Sequence, residues 1–322
     1  MIKKYRNMTQ EKIIVEASAS SANLGPGYDV FGLALDKPRD KIEITRNKKN
    51  QIELNILGKY KNNIPKDIKS NIVGIVAKKI SEDLGITGIN IKLTKNIPLN
   101  IGLGGSAASA AATVIAINEL FQLKLSKTEV VDYATYGELK IAGSGHADNT
   151  SASIFGGFTI VKSYDPLEII NINPPDNLEI CIVIPDIYIN KRKTEYARSV
   201  IPKEVNIDKV TKNIGNATSL VYGMSEKNIK IIGESMSDNI VEPARAFLIP
   251  GYKKVKEMAI KSGAVGVAIS GAGPSIIALL DKTKTDADNI GKQMVAAFKT
   301  EGIKSEYYVT RVGNGPLITK TK

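Results

Sequence analysis

Apolar and polar residues alternate over Lys12 to Ala17, Lys41 to Thr45 and Gln51 to Leu57, and this period of two predicts strands. The first strand runs into a polar loop punctuated by glycine and proline, Ser18 to Asp29, then into the apolar run Val30 to Leu35. From Asn71 to Ile80 the apolar spacing becomes helical, with a stop near Gly85. Alternation returns from Gly88 to Ile97, and Ala110 to Phe121 then reads as a long, alanine-rich helix. A further helix is capped by Ser126, with Glu129 completing a capping box. Its spacing turns Val130, Tyr133, Ala134 and Leu139 inward and leaves Glu138 near its C-terminal end.

Gly143 to Thr150 reads as a loop, Phe158 to Lys162 as a strand, and Pro166 to Pro175 as the crossing into a second domain. There the pattern gives a strand over Leu178 to Ile184. A helix begins at Lys193, with Thr194 and Arg198 one turn apart on one face. Helices follow near Asp208 to Met224, Ile229 to Asp238, Glu242 to Arg245 and Tyr252 to Lys261. Two buried strand-like runs then flank the glycine loop Ser270 to Ser275, before a helix over Asp286 to Lys299 and a strand over Tyr307 to Val312. Strand and helix blocks alternate in both halves, which predicts a two-domain α+β protein divided as residues 1–168 and 169–322. No repeat of fixed period is present.

Composition narrows the function classes. The 322 residues are 43% hydrophobic and 24% charged, the pattern of a soluble globular protein. A net charge of +11 raises the possibility of a nucleic-acid or membrane partner. The basic residues are nevertheless scattered, apart from Lys3 to Arg6 and Lys191 to Lys193, and aromatic residues make up only 6% with no Trp. That leaves little for a base-stacking platform, so neither nucleic acid nor membrane is expected, and attraction for small anions is the simpler inference. The single cysteine, Cys181, excludes an intrachain disulfide and fits a reducing cytoplasm; mid-strand, it reads as a buried apolar residue. No N-terminal signal peptide and no membrane-length apolar run is seen.

The candidate chemistry centres on Pro98-Leu99-Asn100-Ile101-Gly102-Leu103-Gly104-Gly105-Ser106-Ala107-Ala108, between the strand and the alanine-rich helix. Glycines let backbone N–H groups approach a ligand closely. A helix N-terminus offers unpaired donors and the positive end of its dipole, which suits phosphate. Ser106 adds a hydroxyl that reaches a phosphate-bound metal, but the Gly-Lys-Ser/Thr ending of a Walker loop is missing. Asn23 and Asp29 straddle a Gly-Pro-Gly bend that brings both side chains toward one cavity. His146, the only histidine, excludes a multi-histidine metal site and sits beside Asp148 and Asn149.

Ser20 to Asp29, Pro98 to Ser109 and Ser270 to Ser275, taken together and in this order, resemble the GHMP family of small-molecule kinases over nearly the whole chain. Within the family, the Ser-Ala-Asn-Leu-Gly-Pro-Gly-Tyr-Asp segment, Tyr136 to Leu139 and His146 to Asn149 are similar to the members that phosphorylate L-homoserine. The resemblance implies a ribosomal-S5-like N-terminal domain, a ferredoxin-like C-terminal domain and an active site between them. It also implies ATP and Mg²⁺, with Pro98 to Ala108 around the ATP phosphates, Asn71 close to the nucleotide, and Ser106 and Glu138 on the metal. Asn23, Asp29, His146, Thr194, Arg198 and Arg245 would hold the amino acid. A zwitterion needs a carboxylate for its ammonium (Asp29, with the Asn23 amide beside it) and guanidinium forks for its carboxylate.

Phosphoryl transfer has a loose transition state, so positioning and charge stabilisation carry most of the rate, and Arg198 counts among the catalytic group with Glu138, Asp148 and Asn149. Where other members place an Asp base, this chain has Asn149, which implies direct attack by the substrate hydroxyl with Asp148 as the fallback base. Gly105 departs from the serine of many relatives, and the stretch up to about residue 12 extends beyond the family core. A homodimer is compatible with the resemblance. Rival readings are a shikimate- or mevalonate-type kinase, a noncatalytic ATP sensor on the same fold, and an RNA-binding S5-like protein.

Overall fold

The computed structural model describes residues 12–143, 145–187 and 193–321. Strand β1 (Lys12–Asn23) buries Ile13, Val15, Ala17 and Ala19, and pairs antiparallel with β2 (Gly27–Arg46). The pairing continues through Ser20, Ser21 and Ala22, so the expected Ser18 to Asp29 loop is strand except for the turn at Leu24 to Pro26. Its polar composition suggested a loop. Here Ser18, Ser20 and Ser21 are instead buried in the sheet, and two of them hydrogen-bond to other segments. The separate strand expected over Lys41 to Thr45 is the far half of β2.

β3 (Ile52–Leu57) and β4 (Ile89–Thr94) are parallel neighbours, joined by a crossover through α1 (Ile72–Leu84). Asn71 caps α1 by accepting from the Val73 N–H, and Gly85, in the left-handed region at φ 63°, ends it as expected. Helix α2 (Gly105–Phe121) is apolar all round and accordingly buried, lying on β1 and β2. The capping box of α3 (Lys127–Ala142) is present. Leu139 corrects the expectation for that helix: it is 47% exposed, as is Ile141, because the last turn runs past the surface that buries Val130 and Ala134.

The expected loop after α3 ends early, since Asp148 and Asn149 already form the first turn of α4 (Asp148–Phe155). β5 (Phe158–Tyr164) pairs with β2, and β6 (Leu167–Ile172) with β5. The expected crossing at Pro166 to Pro175 is therefore corrected. β6 stays with the first sheet, the chain crosses between Ile172 and Leu178, and a division at 168/169 cuts β6. A short strand that the pattern did not predict, β11 (Leu317–Thr321), returns to pair with Lys12 to Glu16. The seven-stranded sheet runs β11-β1-β2-β4-β3, with β5 and β6 attached through β2.

The second sheet takes β7 (Leu178–Pro185), β8 (Gly266–Ile269), β9 (Ile276–Asp281) and β10 (Ser305–Arg311) in the antiparallel order β10-β7-β9-β8. Read from β7, that is the βαββαβ order of a ferredoxin-like domain, as the resemblance implied. Between β7 and β8 lie α5 (Lys193–Ser199), α6 (Ile207–Ser225), α7 (Ile229–Glu234), α8 (Val241–Arg245) and α9 (Tyr252–Lys261). The predicted helix from Ile229 to Asp238 stops at Glu234; Asp238 caps α8 instead, accepting from the Val241 and Glu242 N–H groups. α10 (Ala287–Thr300) joins β9 to β10.

Strand alternation divides this sheet cleanly. Ile180, Ile182, Ile277 and Leu279 join the core that runs under the seven-stranded sheet, whereas Val183, Ile276, Ala278 and Leu280 pack with α9 and α10. Cys181 sits on the second of these faces, with its thiol pushed up to about 12 by burial, so it is not a nucleophile. The basic clusters at Lys3 to Arg6 and Lys191 to Lys193 lie outside the described residues, apart from the backbone of Lys193. Among the described residues no helix is long and apolar enough to cross a membrane.

Candidate active site

The three segments singled out in the sequence meet around one cavity of 430 Å³. The Ser20 N–H donates to the Leu103 carbonyl at 3.1 Å, the Gly271 N–H to Ala22 at 3.1 Å and the Ser275 N–H to Ile101 at 3.1 Å. The Ser270 hydroxyl donates to the Gly102 carbonyl at 2.7 Å and is hydrogen-bonded to the Ser21 hydroxyl at 2.8 Å. Turns from both sheets are thus locked together by short polar contacts. A Cβ on Gly102 would stand 2.1 Å from the Ser270 carbonyl, so the close approach requires glycine.

The loop after β4 is turned by positive φ at Asn100, Gly102 and Gly104 into the start of α2. Gly104 faces α4: a Cβ there would meet the Ser20 hydroxyl at 2.1 Å and Asn149 Oδ1 at 2.7 Å. This leaves the first N–H groups of α2 open to the cavity. Beneath them lies a buried ion pair absent from the sequence reading. Lys95 Nζ is hydrogen-bonded to Asp40 Oδ2, the Gly105 carbonyl and the Ser109 hydroxyl. Asp40 Oδ1 accepts from the N–H groups of Asn96 at 2.8 Å and Ile97 at 2.9 Å. With its charges paired and its hydrogen bonds made, the network ties the loop to β2. Both residues fall in phase with buried apolar neighbours (Ile42 and Ile44; Ile91 and Leu93), the one signal that marks them as inward-facing.

Two buried carboxyl groups stand beside the loop. Glu138, from α3, is pushed up to about 7, chiefly by burial; the facing Ser106 hydroxyl offsets part of this. Its Oε1 is buried without a hydrogen-bond partner among the described residues. Asp148 is pushed up to about 6 by burial and then by the charge of Asp29. Its Oδ1 accepts from the backbone N–H of Asn149 at 2.6 Å and from the Asn149 amide at 3.1 Å, while Asn149 Oδ1 accepts from the Ser20 hydroxyl at 2.9 Å.

At the other end of the cavity the charges are paired internally. Arg198 makes a bidentate ion pair with Asp29, Nη1 to Oδ2 at 2.9 Å and Nη2 to Oδ1 at 2.8 Å. The carboxylate and the fork that the sequence reading assigns to the substrate are thus paired with each other. Arg245 is buried and donates to the backbone carbonyls of Ala197 at 2.8 Å and Gly271 at 3.3 Å. Desolvation pulls its pKa below the usual guanidinium value, and the nearby Tyr28 and Asp29 offset only part of this.

His146 Nδ1 lies 3.3 Å from Asp29 Oδ2, and burial lowers its pKa, so the ring is neutral near pH 7. Tyr164, also missed by the sequence reading, donates to the Asp29 carbonyl at 2.8 Å and accepts from the Ala147 N–H at 3.3 Å, bracing both sides of this group.

The structure brings Asn23, Asp29, Asn71, Pro98, Leu99, Asn100, Gly102 to Ala107, Glu138, His146, Asp148, Asn149, Thr194, Arg198 and Arg245 to the cavity wall. Ile101 and Ala108 do not line it: both side chains turn into the core. The Asn71 amide is occupied, donating to the Pro65 carbonyl at 2.6 Å and accepting from Val73 at 3.0 Å, so it shapes the wall. The Asn23 amide is likewise occupied, joining the Gly271 carbonyl at 2.9 Å to the Asp29 N–H at 3.2 Å.

Comparison with known proteins identifies the family. The sequence model of the GHMP kinases N terminal domain matches residues 71–157, and that of the GHMP kinases C terminal matches residues 220–300. A homoserine kinase of Methanococcus maripaludis strain C5 is 42% identical over 308 residues, 95% of this chain and 97% of its own. The crystal structure of homoserine kinase from Cytophaga hutchinsonii superposes with a TM-score of 0.90 at 38% identity, covering 98% of this chain and 99% of the other. The Methanococcus jannaschii mevalonate kinase structure, at a TM-score of 0.69 and 20% identity over 97% of this chain and 100% of that one, shares the fold.

Proposed function

This chain belongs to the GHMP kinases, in their homoserine kinase branch, and from that premise we propose how its residues work: it transfers the γ-phosphoryl group of ATP to the hydroxyl of L-homoserine, giving O-phospho-L-homoserine for threonine biosynthesis. The observation that carries the assignment of roles is that one cavity joins the open start of α2 to the Asp29, Arg198 and Arg245 group, with Asn149 between them.

ATP phosphates lie against the N–H groups of the Pro98 to Ala107 cradle, where the helix dipole opposes their charge. Magnesium fits the site on its donors: the unpartnered Oε1 of Glu138 and the Ser106 hydroxyl are hard oxygen ligands, with phosphate oxygens and water available to fill the remaining positions. When bound, the ion neutralises phosphate charge and polarises the transferring group.

Homoserine binds by exchange. Its ammonium takes the place of the Arg198 guanidinium on Asp29, and its carboxylate takes the place of Asp29 on Arg198 while also meeting Arg245. Both internal charges thus stay compensated throughout, and His146 remains neutral beside them. Asn149, fixed by Ser20 and Asp148, orients the substrate hydroxyl. As the new O–P bond forms and the bond to ADP breaks, the hydroxyl proton passes to an oxygen of the transferred phosphoryl group. Asp148 serves as a positioning residue, because its Oδ1 is already engaged by Asn149.

ADP release measured with ATP, Mg²⁺ and a panel of alcohols tests the reading. L-homoserine is expected to be turned over and mevalonate and shikimate not; turnover of mevalonate without homoserine would overturn it.

A further inference from the structure

Tyr28, at the start of β2, stands between two cations. The Arg198 guanidinium lies 5.5 Å from its ring centre and that of Arg245 lies 5.2 Å from it. Arg198 Nη1 also donates to the Tyr28 hydroxyl at 2.6 Å. Two guanidiniums directed at one small cavity repel each other, and Arg198 is one of the charges that lower the pKa of Arg245. Between them only Arg198 has a carboxylate partner among the described residues, and the exchange proposed above draws that partner away. Until the substrate carboxylate bridges them, what keeps the two forks near each other is the negative face of an aromatic ring, which attracts both cations without neutralising either. A carboxylate in that position would cancel the charge that the substrate needs. The phenol adds direction through its hydrogen bond to Arg198, and burial together with the nearby Asp29 charge keeps it protonated.

We propose that Tyr28 is a positioning residue for substrate specificity: its ring and hydroxyl hold Arg198 and Arg245 convergent, so that the pair selects an alcohol bearing a carboxylate. This rests on the reading that both arginines meet the substrate carboxylate.

Two substitutions separate the ring from the hydroxyl. In the ADP-release assay, Tyr28→Leu is expected to raise KM for L-homoserine about tenfold, with KM for ATP within about twofold and kcat within about threefold of wild type. Tyr28→Phe, which keeps the ring, is expected to restore KM to within about threefold. An unchanged homoserine KM in Tyr28→Leu overturns the proposal. An equal rise in both KM values overturns it too, since a general packing defect would not distinguish the substrates. Should Tyr28→Leu fail to fold, Tyr28→Met, which keeps bulk without a ring face, is held to the same outcomes. A wild-type protein that fails to turn over homoserine would refute the substrate assignment; a working wild type with an indifferent Tyr28→Leu would refute only the role of Tyr28.

Discussion

Glu138 and Asp148 hold their protons well above the ordinary carboxyl range because burial penalises their charged forms, and this makes them pH-dependent liabilities to the empty protein. For Glu138 the sign follows from proton counts. Between the unfolded value near 4.5 and the folded value of about 7, the native state keeps a proton that the unfolded chain has lost, so stability falls as pH rises through that window. Glu138→Gln is therefore expected to stabilise the metal- and nucleotide-free protein at pH 8, by on the order of 2–3 kcal/mol, and by far less at pH 5. Urea unfolding in EDTA at the two pH values measures this, and an equal effect at both would remove the desolvation argument. Asp148 also allows a kinetic test. As a positioning residue its change to Asn should lower kcat only several-fold with KM for homoserine retained, whereas a loss beyond about a hundredfold would restore it as a general base. Neither carboxyl shift was visible in the sequence, because burial comes from packing by distant segments.

At the scale of elements, the phosphate cradle depends on glycines for two separable reasons, and substitutions tell them apart. Gly104 has φ 58° and no room for a Cβ, with the Ser20 hydroxyl at 2.1 Å, while Gly85 has φ 63° and nothing within 4 Å. Gly85→Ala should cost only backbone strain, about 1 kcal/mol, and leave nucleotide affinity untouched. Gly104→Ala should add displacement of Ser20 and Asn149 and weaken ATP binding by more than about tenfold. Calorimetric titration of the two variants decides between strain and crowding, and equal ATP affinity in both would show that crowding at Gly104 does not matter. The cradle itself was legible in advance because its glycines, serine and small residues are contiguous. The network under it was less so: Asp40 and Lys95 are far apart in the chain, and each looks like a surface charge until its phase with buried neighbours is followed. Polar composition likewise disguised Ser18 to Asn23 as a loop, since the Ser20 and Ser21 hydroxyls find partners in α4 and in the β8–β9 turn. In α3 the spacing that placed Val130 and Ala134 correctly was carried one turn too far, to Leu139.

The two sheets share one core, and this sets how the whole molecule should unfold. Ile180, Ile182, Ile277 and Leu279 from the four-stranded sheet belong to the same buried cluster as Ile13, Val15, Leu33 and Ile44 from the seven-stranded sheet. The chain also crosses back, since β11 closes on β1 after the ferredoxin-like strands are complete. That return was illegible in the sequence: Leu317 to Thr321 is exposed along its length, carries no burial pattern, and pairs with residues at the opposite end of the chain. The division into two α+β halves describes the strand topology more closely than it describes the energetics. Separating the halves would expose a continuous apolar surface and break the locked turns at Gly102, Ser270 and Gly271 at once. Scanning calorimetry of the full chain is therefore expected to give one transition, with calorimetric and van't Hoff enthalpies in agreement. ATP with Mg²⁺ should move that transition upward as a unit, because a ligand held by one half stabilises everything that unfolds with it. Two resolved peaks, only one of them responding to nucleotide, would mean that the shared cluster is too weak to couple the sheets, and that the cavity between them opens without unfolding either.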